Sequence, residues 1–299
     1  MICTSRYFLF IFETIDTMES TVIFFAGLWT LRNYPSADAE WSLEQKFEST
    51  KKAGFDGIGG RFLPEVIPLC EEYGLEYVLY IDADATNYEE QFRRAVDWNP
   101  KRINVQLCDH DTLPDEAGDA WLKMVELAEQ LSLPIDLELH RDTATETPEK
   151  AEAIANFVFA RSGRRVRWCL DYSHFAVLKH LAPPFAERLF PEEDQLRLVR
   201  QMHLRPFNGH HAQIPATNGR GELTGGFRNY LEFAEALLNA WLCCAPKDAV
   251  LYICPENGPL APGGYALEGF PDVWQDAIVV RDEVQRIWKR ITEQVEGVT

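Results

Sequence analysis

The stretch PIDLELHRDT, residues 134–143, has the pattern of a short buried strand running into a polar loop, yet it carries an acid at its centre. Strand side chains alternate between two faces. Leu137 and Leu139 therefore share one face, and Asp136, Glu138 and His140 share the other. A lone buried carboxylate costs several kcal/mol unless it is paired, protonated or bound to a metal. Glu138 needs a partner, and that partner has to come from elsewhere in the chain.

Three later stretches repeat the pattern. In VRWCLD (166–171) Trp168 and Leu170 oppose Arg167, Cys169 and Asp171. In RQMHLR (200–205) Met202 and Leu204 oppose Gln201, His203 and Arg205, and in VLYICPE (250–256) Leu251 and Ile253 oppose Tyr252, Cys254 and Glu256. Upstream, TVIFFAG (21–27), GIGGRF (57–62), YVLYID (77–82) and RINVQLC (102–108) complete a set of eight strand candidates. Helical patterns lie between them. WSLEQKFESTKKAG places Ser42 and Gln45 at capping-box spacing and stops at Gly54. TPEKAEAIANFVFARSG has Thr147 as N-cap, Pro148 in the first helical position and Gly163 past the end. Further helices are expected over about 64–73, 87–98, 115–131, 228–243 and 271–294. Eight strands alternating with helices predict an α/β fold, a single-domain (β/α)8 TIM barrel over residues 18–299. A doubly wound open sheet is the alternative, but no GxGxxG follows the first strand.

In a barrel the apolar strand face packs under the helices and the other face points into the lumen. Four consecutive strands then aim Glu138, Asp171, His203 and Glu256 inward near their C-terminal ends, where barrel active sites form. Taken singly, a strand carboxylate is more often paired with Arg or Lys, and a lone His is more often a core residue. Taken together, three acids at one height repel one another unless a cation sits between them. Carboxylate and imidazole ligands suit one hard or borderline divalent ion: Mn²⁺, Mg²⁺, Co²⁺ or Zn²⁺.

Composition narrows the function class. With a net charge of −18 and no basic run, the chain of 299 residues lacks the clustered Lys and Arg that a nucleic-acid partner requires. The seven cysteines are odd in number and form no CxxC, which points to a reducing, cytoplasmic setting without a disulfide framework. YFLFIF near the N-terminus is too short to span a membrane and has no clear cleavage site after it. Residues 1–17 are read as an N-terminal extension outside the fold, disordered or removed as a targeting segment.

At these residues the sequence resembles the xylose isomerase-like superfamily of TIM barrels, which includes sugar (phosphate) isomerases and epimerases and the endonuclease IV type of repair enzymes. The matching elements are GFDGI at the second strand, the Glu of LELHRDT, the Asp and His of LDYSH, the His of MHLRP and the Glu of CPENGP, in family order. The resemblance implies that Glu138, Asp171, His203 and Glu256 bind one divalent metal, commonly Mn²⁺. It also implies that Glu138 and Glu256 are the acid–base pair and that His174 contacts substrate. The endonuclease branch uses several zinc ions and early-strand histidines, whereas here the first histidine is His110, after the fourth strand. After His203 the chain departs from the ketose epimerases, offering Arg205, His210, His211 and Gln213.

The chemistry so implied is proton abstraction next to a carbonyl of a small carbohydrate, through an enediolate. His174, Arg205, Arg141, Gln213 and His211 are the candidate substrate contacts, although Arg141 could simply pair with Asp142. Trp29 and Phe207 are candidates for an apolar wall, with core packing the default. The glycine-rich NGRGELTGG (218–226) follows the seventh strand, where barrels often cradle phosphate, though such loops are more often plain turns. A metal-dependent dehydratase of an inosose or related polyol or keto acid is the runner-up on the same site. A non-catalytic metal-binding barrel comes third. A homo-oligomer is compatible with everything above.

Overall fold

In the computed structural model, which describes residues 20–189, 193–260 and 263–296, eight strands pair in chain order, all parallel, and the last closes on the first. They are β1 Thr21–Gly27, β2 Gly57–Gly60, β3 Glu76–Ala83, β4 Arg102–Leu107, β5 Ile135–Glu138, β6 Trp168–Leu170, β7 Gln201–His203 and β8 Val250–Cys254. Each falls within a residue or two of a sequence candidate. The N-terminal extension lies outside the described residues.

Between strands run α1 Leu43–Lys52, α2 Val66–Tyr73, α3 Tyr88–Trp98, α4 Pro114–Gln130 and α5 Pro148–Ser162. After β6 come α6 Tyr172–Leu178, α7 Ala186–Leu189 and α8 Glu193–Leu196; α9 Gly225–Cys244 and α10 Val273–Glu296 complete the shell. The caps are the expected ones. The Ser42 side chain accepts from Gln45 N while the Gln45 side chain accepts from Ser42 N. Thr147 Oγ1 accepts from Lys150 N, and Gly163 takes the left-handed conformation at φ 69°. Thr147→Ala is therefore expected to cost about 1 kcal/mol, and Thr147→Ser far less, in denaturant unfolding; equal stability of all three chains would show that the cap contributes nothing.

The period-two faces separate two apolar clusters. Phe24, Ala26, Leu137, Leu139, Trp168, Leu170, Met202 and Ile253 join the large cluster between sheet and helices. Phe25, Val78, Tyr252 and Cys254 form a small second cluster inside the barrel. A methyl on Gly59 of β2 would lie 2.8 Å from both Phe25 Cε2 and Tyr80 Oη, so glycine there makes room for two aromatic side chains in the lumen. None of the described cysteines forms a disulfide. No described helix is long and apolar enough to cross a membrane.

The floor of the lumen is polar. Asp136 is fully buried and accepts from Arg102 Nε at 2.7 Å and Gln201 Nε2 at 2.7 Å, with Arg102 Nη2 on its other oxygen. The partner demanded by the first inward acid of β5 is thus Arg102, one strand away.

Candidate active site

Continuing each strand's alternation beyond its last residue builds the C-terminal end of the barrel. Glu138 is the final residue of β5; Asp171, Arg205 and Glu256 lie one or two positions past β6, β7 and β8. His203 ends β7. One ligand atom from each of Glu138, Asp171, His203 and Glu256 lies within 4.8 Å of the others, and all four residues are buried.

Asp171 has two duties. Its Oδ1 caps α6 by accepting from Ser173 N at 3.0 Å and Ser173 Oγ at 2.5 Å. Its Oδ2 faces Arg205 Nη2 at 2.8 Å and His174 Nε2 at 3.3 Å. The same Arg205 Nη2 donates to Glu256 Oε2 at 2.5 Å, and Arg205 Nε donates to the Glu256 carbonyl at 2.9 Å. Glu138 Oε2 accepts from Asn104 Nδ2 at 2.9 Å. Each glutamate therefore has one oxygen held by a donor from behind, which leaves Oε1 to face the centre.

At the centre His203 Nδ1 lies 2.9 Å from Glu138 Oε1 and 3.4 Å from Glu256 Oε1. Neither contact has hydrogen-bond alignment: His203 Nδ1 and Glu138 Oε1 are both buried without a hydrogen-bond partner. Ligand atoms about 2.1 Å from one octahedral ion stand about 3 Å apart, so the spacing fits a shared divalent cation. Charge agrees, because three carboxylates against one guanidinium leave two negative charges when His203 is neutral.

Titration shifts show the same field. Burial acts to raise the Glu138 carboxyl, but His203 and His140 outweigh it and hold it down at about 2. Burial also opposes ionisation of Asp171 and Glu256, yet Arg205 and His174 in the first case, and His203 and Arg205 in the second, keep both below the usual carboxylate range. Burial disfavours a charged His203, and Cys169, Glu256, Tyr80 and Glu138 overcome it, so its ring is held well above the ordinary histidine value. The surroundings demand a cation at this point, as a proton on His203 or as a metal. His174 is pulled down to about 4 by burial, which prevails over Asp171, so it is neutral.

A cavity of about 540 Å³ opens above the cluster. Its wall includes Glu256, Arg205, His140, Gln106 and Tyr80 from the strand ends, and Leu28, Trp29 and Tyr265 from the loops. The guanidiniums of Arg141 and Arg205 lie 4.1 and 4.2 Å from the centre of the Tyr265 ring, and Trp29 meets it edge-on at 5.3 Å. Arg141 therefore stacks on Tyr265, and Asp142 turns instead to His110 Nδ1 at 2.9 Å.

The sequence-based contacts separate here. Arg205 is a wall residue, although its nearest partners are the two carboxylates. His174 is buried behind Asp171, against His140 at 4.3 Å between ring centres. Gln213 is buried and turned to the backbone of Gly258, donating to its oxygen at 3.1 Å and accepting from its nitrogen at 2.5 Å, so it braces the loop after β8. His211 is exposed, with Nδ1 3.2 Å from Asn208 Oδ1. Neither Gln213 nor His211 lines the cavity. Phe207 packs among Phe185, Tyr230 and Phe233, not in the cavity wall. The 218–226 loop closes on itself, with Asn218 donating to Glu222 and accepting from Arg220 N, and it too stands outside the cavity. Asn104, Gln106 and Tyr80 were absent from the sequence-based set. The alternation in INVQL and YVLYI marks all three as inward-facing, so the signal that found Glu138 also contained them.

Fold and site define a (β/α)8 barrel with four residues that could hold a metal ion at the C-terminal end of its strands. Its fold is similar to that of solved xylose isomerase-like barrels. A xylose isomerase-like TIM barrel protein from Mycobacterium smegmatis, solved in complex with magnesium, matches at TM-score 0.52 and 14% identity over 82% of this chain and 89% of that one. A 3-keto-D-glucoside 4-epimerase from E. coli matches at 0.56 and 14% over 89% and 99%. The probable 3-DHS dehydratase of petrobactin synthesis from Bacillus anthracis matches at 0.55 and 14% over 88% and 97%. No family model and no curated protein matches the sequence.

Proposed function

We propose that the protein is a divalent-metal-dependent isomerase or epimerase of a small carbohydrate, acting by proton transfer next to a carbonyl through an enediolate. The observation that carries this is the convergence of Glu138, Asp171, His203 and Glu256, with Glu256 in the wall of the cavity. These four residues would hold the ion, Mn²⁺ being the first choice among Mn²⁺, Mg²⁺, Co²⁺ and Zn²⁺. When bound, it would act as a Lewis acid on the substrate carbonyl.

The rest is done by the chain itself. Glu256 borders the cavity as an ionised carboxylate and is the group placed to take a proton from carbon. Glu138, held from behind by Asn104, is its counterpart for the return step. Arg205 Nη1 and Tyr80 Oη are buried in the cavity wall without hydrogen-bond partners, so each offers a donor to a substrate oxygen. Trp29 and Tyr265 supply an apolar wall that limits water around the reacting carbon.

The dehydratase reading uses the same base and differs only in the loss of a hydroxyl in place of reprotonation; the similarity to a probable dehydratase keeps it second. The test is metal analysis of unchelated protein, then a screen of ketoses, aldoses, hydroxypyruvate and inososes in deuterated water. One bound ion per chain is expected, with deuterium at carbon in the reactive compound. Chelation should abolish exchange, and restoring the ion at about 100 times its Kd should raise stability by about 2.7 kcal/mol. An absorbing enone with loss of water would move the assignment to the dehydratase. A metal-free protein without exchange on any compound would overturn both.

A further inference from the structure

The cavity wall carries a charge bias opposite to that of the chain. Overall, 47 Asp and Glu face 29 Lys and Arg. Among the described residues of the wall, the ionised side chains are Arg32, Lys46, Arg61 and Arg205 against Glu256 alone. Arg205 is committed to Asp171 and Glu256. The remaining three cations come from the loop after β1, from α1 and from the loop after β2. The 218–226 loop does not line this cavity. Arg32 reaches the neighbouring loop after β8: a methyl on Gly263 would lie 3.7 Å from its Nη2.

We propose that these three residues form a subsite for the anionic end of the substrate, a carboxylate or a phosphate, in the same cavity as Glu256; this rests on the reading of the site as a carbonyl–enolate catalyst. A neutral sugar gives no reason for three cations in the wall of so acidic a chain. An anion does, because a cleft lined by one sign of charge concentrates the oppositely charged substrate. The current partners of two of them lie outside the wall. Arg61 pairs with Asp82 at 2.5 Å with both side chains more than half exposed, and Lys46 contacts Glu40. An exposed pair such as Arg61–Asp82 contributes little and exchanges readily for a better acceptor, whereas Lys46, with a side chain only 11% exposed, is held by Glu40.

The test compares a neutral ketose, its terminal phosphate ester and a keto acid of similar size, as substrates of the metal-loaded protein in deuterated water. The expected result is a preference in kcat/KM of about tenfold or more for one charged compound, and which one wins separates phosphate from carboxylate. Arg61→Gln and Lys46→Gln are each expected to raise KM for that compound about tenfold at unchanged kcat and to leave the neutral one unaffected. Equal use of neutral and charged compounds, or variants with unaltered KM, overturns the subsite. Calorimetry with inorganic phosphate and acetate keeps the two claims apart when nothing turns over. Binding lost in Arg61→Gln and kept in Arg220→Gln, an exposed residue outside the cavity, supports the subsite while the catalytic reading fails; absence of binding overturns the subsite as well.

Discussion

Glu256→Gln is expected to lower deuterium exchange and turnover by about 10²- to 10⁴-fold, the range a positioned acid–base group contributes. The amide keeps the volume of the side chain and an acceptor for Arg205 Nη2, but it cannot take a proton from carbon. Glu256 is chosen over Glu138 because it forms part of the cavity wall, whereas Glu138 is fully buried and does not line it. The pH profile follows from the same surroundings. Burial acts to raise the Glu256 carboxyl, and His203 and Arg205 override it, so its folded value lies below the ordinary one. Such a group stays ionised until pH falls through the lowered value. The acid limb of kcat/KM should therefore lie below the ordinary glutamate value of about 4.3. Because Glu256 is also a candidate ligand, metal content and melting temperature have to be measured on the same sample. A folded, metal-loaded variant that still exchanges deuterium at the wild-type rate would remove Glu256 from the mechanism.

The four clustered residues were legible in the sequence because alternation is a local rule and holds a step or two past the strand ends. Glu138 opposite Leu137 and Leu139 is a statement about two neighbours, and the barrel only repeats it. Other features depend on where distant segments come to rest. Nothing in LDYSH separates a strand end from a helix start, because Asp171 is at once the last inward group of one and the N-cap of the other. Arg205 was expected to meet substrate, yet its reach to Asp171 and Glu256 depends on three strands being adjacent. Gln213 was a candidate contact by its chemistry alone, and the fold of its loop turned it to Gly258. Tyr265 lies more than fifty residues from Arg205 and more than a hundred from Arg141, so no window of sequence could place those rings and guanidiniums together. The cationic wall likewise gathers single residues from separate loops.

Arg102→Met is expected to destabilise the fold by about 3–5 kcal/mol, the cost of breaking a buried ion pair by removing one partner. Asp136 points into the floor of the lumen with no exposure, and Arg102 contacts both of its oxygens. Gln201 Nε2 adds one hydrogen bond, and Arg167 Nε, at 3.9 Å, is too distant to replace the guanidinium. Without Arg102 the carboxylate must stay charged without a close cation or take up a proton. Both routes cost free energy, and the second makes stability depend on pH. The double variant Arg102→Met with Asp136→Leu separates this from a loss of packing. It removes both charges and fills the space, so it should recover most of the loss, short of the hydrogen bond that Gln201 forfeits. Denaturant unfolding of the two variants beside the wild type measures the difference. A single variant within about 1 kcal/mol of wild type, or a double variant no better than the single, would show that the pair fills the barrel floor without holding it together. The site itself lies at the opposite end of the same strands, where three carboxylates have one guanidinium between them. On the floor the acid has its own cation; at the mouth two charges are left over when His203 is neutral, and a divalent ion would balance them.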